Sequence, residues 1–285
     1  MASFNTYSDI SSFVHTVYDD AMLVARDNNL MANLVTVYND RQGMALRKNS
    51  EYGTATIQSI GETDDLTSQA FTPAVLSTLT PAEVGAQFFM TDQRLESDPF
   101  QVRQDAASEL GLAMAQKIEK DLLGNFSSLT GGTVGTAGSA IAWSYFYAML
   151  TKIRAQNAPA PYAFVCRPEQ WHYLGKAVAP GATVTNSPAL QDSIVGRFYV
   201  GSVSGVDIFV SSNISVDASD DAYCAMFNPM ALALDVRRPA RLEPERDASR
   251  RGWELNLSAV YAHGVWRPKF GVKGIFDSAT PDGTS

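Results

Sequence analysis

The stretch from Asp98 to Gly124 predicts one uninterrupted helix and constrains everything around it. Asp98 suits the N-cap, Pro99 the first helical position, where its missing N–H costs nothing, and Gly124 a left-handed stop. About 25 residues at 1.5 Å each span roughly 37 Å, longer than a small domain is wide. Val102, Ala106, Leu110, Ala113, Met114, Ile118 and Leu122 recur mostly every four residues. Such a stripe drifts about 40° per step, so no single flat partner covers it. Asp105, Glu109, Gln116 and Glu119 are expected on the opposite, polar face. The helix reads as a spine with several elements packed across it.

Upstream, Asp9 to Arg26 carries Ile10, Phe13, Val14, Val17, Ala21 and Val24 at helical spacing, an amphipathic arm. Tyr52–Ile60 and Pro73–Met90 read as extended runs, the second with Val84, Ala86, Phe88 and Met90 alternating. Between them lies the polar tract Gly61–Gln69, acidic at Glu62, Asp64 and Asp65. Together they form a long hairpin-like excursion with little of its own to bury, and a two-stranded ribbon is marginal alone in water. It needs a surface to lie on, its own domain's or a neighbour's.

Downstream, the glycine-rich segment Ser127–Ser139 lacks the Gly-Lys-Ser/Thr of a phosphate loop and reads as a hinge between two domains. A helix is expected over Ile141–Gln156, a buried strand at Tyr162–Cys166, a helix from Pro168 to Lys176, a hairpin of Arg197–Val203 with Val206–Ser211, and a strand at Ala222–Phe227. This alternation describes a compact α/β unit separate from the spine. Leu232–Ala279 is β-rich, with Leu255, Leu257, Ala259 and Tyr261 alternating; these strands and that of Phe270–Phe276 are expected to pack on the spine.

The residues offer no coherent active site. His15, His172 and His263 fall in different elements, and no pair has metal-ligand spacing. Cys166 and His172 are poorly placed for a thiol–imidazole pair, and Gly201–Gly205 puts Val203 where a nucleophile elbow needs serine. The acids of Glu62–Asp65 lack the alternating ligands of a calcium loop. No cofactor or metal is therefore expected. A net charge of −8 argues against a dedicated DNA-binding module. Two cysteines are too few for a disulfide framework, and with neither a secretion signal nor a membrane-length apolar window the chain is expected to be made in the cytosol. Arg237, Arg238, Arg241, Arg246, Arg250 and Arg251 crowd a segment that also holds Glu243, Glu245 and Asp247. They suit either a solvated hairpin with local ion pairs or contacts with carboxylates of another subunit.

The texts SDPFQVRQDAASELGLAMAQKIEKDLL and LALDVRRPARLEPERDASRRGWELNLSAVYAHGVWRPKFGV, in this order and spacing, resemble the HK97-like major capsid proteins of tailed bacteriophages. The resemblance implies an α+β fold with an N-terminal arm (1–48), an extended loop (49–91), a peripheral domain holding the spine helix (92–140 and 231–285) and an inserted axial domain (141–230). It further implies pentamers and hexamers tiling an icosahedral shell around double-stranded DNA, with no enzymatic activity, in a virion assembled in the host cytoplasm. Each extended loop would lie across the adjacent subunit, and Glu62, Asp64 and Asp65 are expected to meet basic surface there. The remaining implied partners are a portal and, since the arm starts almost at Met1, a scaffold that is a separate protein; a decoration protein is left open. The loop lacks lysine from Asn49 to Thr91, so lysine-based cross-linking through it is not expected. Two alternatives stand beside this reading: an encapsulin-like compartment with an enzyme as cargo, and a soluble α+β hydrolase using Cys166 or Ser204.

Overall fold

The computed structural model describes residues 30–52, 55–63, 65–66, 68–97, 101–178 and 199–280; the expected N-terminal helix and the caps Asp98 and Pro99 lie outside them. In chain order the elements are α1 (Leu30–Leu34), β1 (Thr36–Tyr38), β2 (Arg47–Tyr52), β3 (Pro73–Leu79), β4 (Ala82–Thr91), α2 (Asp92–Ser97), α3 (Gln101–Gly124), β5 (Thr133–Val134), α4 (Trp143–Ala155), β6 (Tyr162–Cys166), α5 (Pro168–Val178), β7 (Tyr199–Val203), β8 (Val206–Val210), β9 (Asp221–Phe227), β10 (Leu232–Asp247), β11 (Gly252–Val265) and β12 (Gly271–Asp277).

The spine is α3. Its buried stripe is two residues wide and steps by four: Leu110 with Gly111, Met114 with Ala115, a half-buried Ile118 with Glu119, Leu122 with Leu123. That pattern leaves Ala113 exposed and draws Glu119 into the interior, correcting the expected assignment of both. The buried carboxylate is satisfied: Glu119 Oε1 accepts from Ser211 Oγ at 2.7 Å and Oε2 from the Leu30 amide at 3.3 Å. One side chain thus ties α1, the spine and the end of β8. Gly124 is not a left-handed stop either, since its φ of −58° and ψ of −23° are helical. The chain instead tightens into a 3-10 turn, Asn125–Ser128, while Asn125 Nδ2 donates to the Asp121 and Leu122 carbonyls, occupying acceptors that the helix end would leave bare.

Two sheets cover the spine. The first has the order β1-β10-β11-β4, with β1 parallel to β10 and the remaining pairs antiparallel. The period-2 pattern of β11 holds: Leu255, Leu257, Ala259 and Tyr261 share one core with Leu110, Met114 and Leu122. The other sheet runs β5-β12-β9-β6-β8-β7. All five residues of β6 are buried because both its faces are covered: Ala163 and Val165 join the spine's core, Phe164 and Cys166 a second core under α4 and α5. The α/β unit is therefore not separate from the spine; one apolar core runs through both. The last strand, β12, pairs with β9 and β5 in the six-stranded sheet instead of joining the spine's sheet. The expected hinge is likewise docked: the Gly131 amide donates to the Gly271 carbonyl at 2.9 Å, and Gly135, at φ +82°, leaves no room for a Cβ against the Phe276 ring.

At the junction Phe126, fully buried, packs its ring 5.6 Å from that of Phe227. Phe126→Ala should cost about 3–5 kcal/mol, read as a lower urea midpoint of the unassembled chain. A polar clamp lies beside it. Tyr261 donates to Asp121 at 2.6 Å, and Asn125 Nδ2 lies 3.1 Å from His263 Nδ1. Burial holds the His263 imidazole below its ordinary pKa despite the nearby Asp121 carboxylate, so the folded state resists a proton that the unfolded chain accepts. Stability should decline as pH falls below the usual histidine value of 6.5, and His263→Gln should remove that decline. What remains is a steeper loss below about pH 4, where Asp40, Asp92, Glu169 and Asp247, each held low by a hydrogen bond to Arg47, Arg246, Arg167 or Ser249 respectively, take up protons. Thermal melts across pH 3 to 8, in roughly half-unit steps, check both legs.

Candidate assembly surface

The excursion between β1 and β4 contains a two-stranded antiparallel ribbon, β2 paired with β3. Its strands are not the expected ones. Arg47–Tyr52 pairs with Pro73–Leu79, the described residues of Tyr52–Ile60 beyond Tyr52 are not in a strand, and the run Pro73–Met90 breaks at Thr80–Pro81 so that β4 can enter the sheet beside β11. Proline at position 81 lacks the N–H that a continued ladder would use.

The root of the ribbon is fixed by a buried ion cluster. Asp235, inside the apolar run of β10, is fully buried, and both Arg47 Nε and Arg237 Nη2 lie 2.7 Å from its Oδ2. Arg47 also pairs with Asp40 and lies 4.3 Å above the Tyr38 ring. Two guanidinium groups therefore meet two carboxylates. These bonds outweigh the desolvation that works against the Arg47 charge and raise its pKa above the ordinary value. Arg237 Nη2 donates onward to the Ala45 carbonyl at 2.9 Å. From the ribbon itself, Asn49 Nδ2 and Ser77 Oγ both donate to the Trp266 carbonyl, at 2.7 and 3.0 Å, and Leu79 fills a small core with Ala233 and Ala262.

Beyond the root the ribbon has little apolar cover from the described residues. Ile57 is 97% exposed, Phe71 71%, Leu66 66% and Val75 57%. Phe71 stacks on Tyr52 with ring centroids 4.6 Å apart, and Gln69 exchanges two hydrogen bonds with the Thr56 backbone, closing the loop like one rung of a sheet. Glu62 and Asp65 are exposed at the far end; Asp64 lies outside the described residues.

The arginine segment is the β10–β11 hairpin, and the structure pairs nearly all of it within the chain. Arg238 meets Glu83, Arg241 meets Glu243 at 2.8 Å, Arg246 grips both oxygens of Asp92, and Arg250 lies 3.5 Å from Glu254 and 3.7 Å from Asp247. Arg251 occupies a left-handed turn position at φ 52° and has no side-chain partner among the described residues. Arg237 requires a correction: its burial beside Asp235 removes it from any surface, because a guanidinium next to an apolar strand core is retained there only by its counter-charge.

A family model described as phage capsid protein matches residues 74–274. The chain belongs to the phage capsid protein family. Among solved structures, one from Mycobacterium phage Che8 has a TM-score of 0.67 at 19% identity over 86% of this chain and 90% of that one. The capsid of Ralstonia phage GP4 gives 0.67 at 10% identity, covering 90% and 89%. A virus-like particle from Pyrococcus furiosus gives 0.61 at 12% identity, covering 93% and 99%. No curated protein matches the sequence. The fold is the HK97-like capsid fold, and this capsid protein is a structural component of a virion.

The fold places the candidate nucleophiles in a buried strand and a turn. Cys166 is buried and burial pushes its thiol well above the ordinary value, opposite to what a nucleophile needs. Ser204 sits in the β7–β8 turn at φ 55°, its Oγ 3.4 Å from the Tyr147 hydroxyl. The important polar residues that sequence reasoning missed are Asp235, Arg47 and Glu119. Asp235 had a signal, an acid embedded in the apolar run LALDV; Arg47 had none. Asp235→Asn should leave Arg47 and Arg237 without their shared charge and weaken the anchorage by about 3–5 kcal/mol. Faster hydrogen exchange at Arg47–Tyr52 and Pro73–Leu79, with β6 unchanged, would report it.

Proposed function

We propose that this capsid protein associates into pentamers and hexamers that tile an icosahedral shell around double-stranded DNA, each ribbon lying across the adjacent copy. The axial domain is then residues 141–230, which supply four strands of the six-stranded sheet, and the peripheral domain residues 92–140 and 231–285, which hold the spine and add β5 and β12 to that sheet. A scaffolding protein and a portal complete the assembly, which takes place in the host cytoplasm, and the protein catalyses no reaction. A single observation carries the reading: the ribbon is clamped at its root yet presents Ile57, Leu66, Phe71 and Val75 largely exposed, with little cover from the described residues of its own chain. Exposed apolar groups of this kind are covered in the functional assembly. Each contact is modest, but a closed symmetric lattice multiplies it, so assembly is cooperative. The acids Glu62, Asp64 and Asp65 are taken to meet basic surface on the neighbour, and the guanidinium groups of the half-buried Arg238 and the exposed Arg241, Arg246, Arg250 and Arg251 keep the capacity for a second carboxylate across a subunit boundary.

Ile57 supplies the test because it is 97% exposed in the single chain. Ile57→Asp should leave the melting of the unassembled protein within about 0.5 kcal/mol of its original stability. Burying and then losing that side chain is worth about 1.5–3 kcal/mol per contact, so the concentration needed to form shells, rings or tubes should rise at least about tenfold. Electron microscopy and sedimentation read the result. Assembly indistinguishable from the original would remove the ribbon from the interface.

A further inference from the structure

Between the ribbon's root and the 3-10 turn Pro268–Phe270 lies a cleft of about 230 Å³. Tyr52, Leu76 and Phe270 give it an apolar wall, and Arg267 and Lys269 bring two cations; Glu51 lies on the same lining. Arg267 rests its guanidinium over the Phe270 ring at 5.5 Å. Unlike Arg238, Arg241 and Arg246, neither Arg267 nor Lys269 has a carboxylate partner among the described residues, Glu51 included. The ribbon's far end shows the complementary surplus. Glu62 and Asp65 are exposed and form no ion pair among the described residues, and Ile60 and Leu66 beside them are 53% and 66% exposed.

We propose that this cleft is the receptor for the loop tip of a second copy, its Glu62 and Asp65 carboxylates meeting Arg267 and Lys269 while Ile60 or Leu66 covers the aromatic wall. Within one chain the two surpluses do not meet: the cleft is at the clamped root, and the acids lie beyond the Thr56–Gln69 rung. With Arg267 over Phe270 and its N–H edge without a carboxylate among the described residues, that edge can donate to a carboxylate in two-pronged fashion. An acid flanked by aliphatic side chains, facing cations flanked by aromatic ones, matches in both charge and hydropathy. This inference rests on the shell reading above and names the surface that the ribbon seeks.

Compensating charge reversals test it in the full-length protein. Glu62→Lys with Asp65→Lys should raise the concentration needed for assembly about tenfold at low salt, and Arg267→Glu with Lys269→Glu should do the same. All four together should restore assembly, because the pairs re-form with opposite polarity. Thermal melting of each unassembled variant should match the original, since none of these side chains makes an ion pair among the described residues. A second measurement does not depend on charge: Glu62→Cys with Lys269→Cys, oxidised after assembly, should give ladders of covalently joined subunits on a denaturing gel, the native Cys166 and Cys224 being buried. If the original protein assembles but the quadruple variant is not rescued, or the cysteine variant yields only single chains, the proposed receptor is wrong. If the original protein forms no particle under any scaffold or salt condition, the shell reading itself fails.

Discussion

The buried cluster of Asp235 with Arg47 and Arg237 is the constraint on which the rest of the arrangement depends. A two-stranded ribbon has too little core to choose its own direction. Here the direction comes from outside, through one carboxylate sunk in the central strand pair of a sheet that the spine already holds rigid. Removing one member of such a cluster is costlier than the cluster's net worth, because the survivors remain charged and dry. The ion cluster therefore specifies geometry more than it adds stability, aiming an otherwise indifferent hairpin away from its own domain.

The spine plays the corresponding part for the body. A stripe two residues wide that advances by four turns steadily around the helix, so two sheets at different heights can each claim part of it. Leu110 and Met114 face the strands of the first sheet, whereas the Phe126 turn at the end of the same rod reaches Phe227 in the second. Glu119 sits where the elements converge, and its two oxygens bind one group from each side.

Much of this was legible in the amino-acid sequence because period and punctuation are local properties. The helix Trp143–Ala155, the fully apolar strand Tyr162–Cys166 and the Ser204–Gly205 turn, with φ values of 55° and 80°, follow directly from their residues. Partnership was not legible. The pattern of Gly271–Asp277 says strand but not which sheet, and the glycine-rich connector reads as looseness although Gly131 and Gly135 serve close packing against β12. Glu119 was assigned outward because a carboxylate is usually solvated; only Ser211, 92 positions away, makes its burial tolerable. The arginines of the β10–β11 hairpin were recognisable as a group, yet the acids that Arg238 and Arg246 clasp, Glu83 in β4 and Asp92 at the start of α2, lie far away in the sequence.

Gly135, pressed against Phe276, has a mechanical consequence. With that crossing locked and a continuous apolar core beneath it, the body cannot bend at its waist without opening voids, which densely packed interiors resist. Tiles of fixed shape can meet different local curvatures only by slipping at their edges. In the proposed shell, any swelling or flattening of the lattice would thus be absorbed by the strap that leaves each tile, and by the seams it crosses.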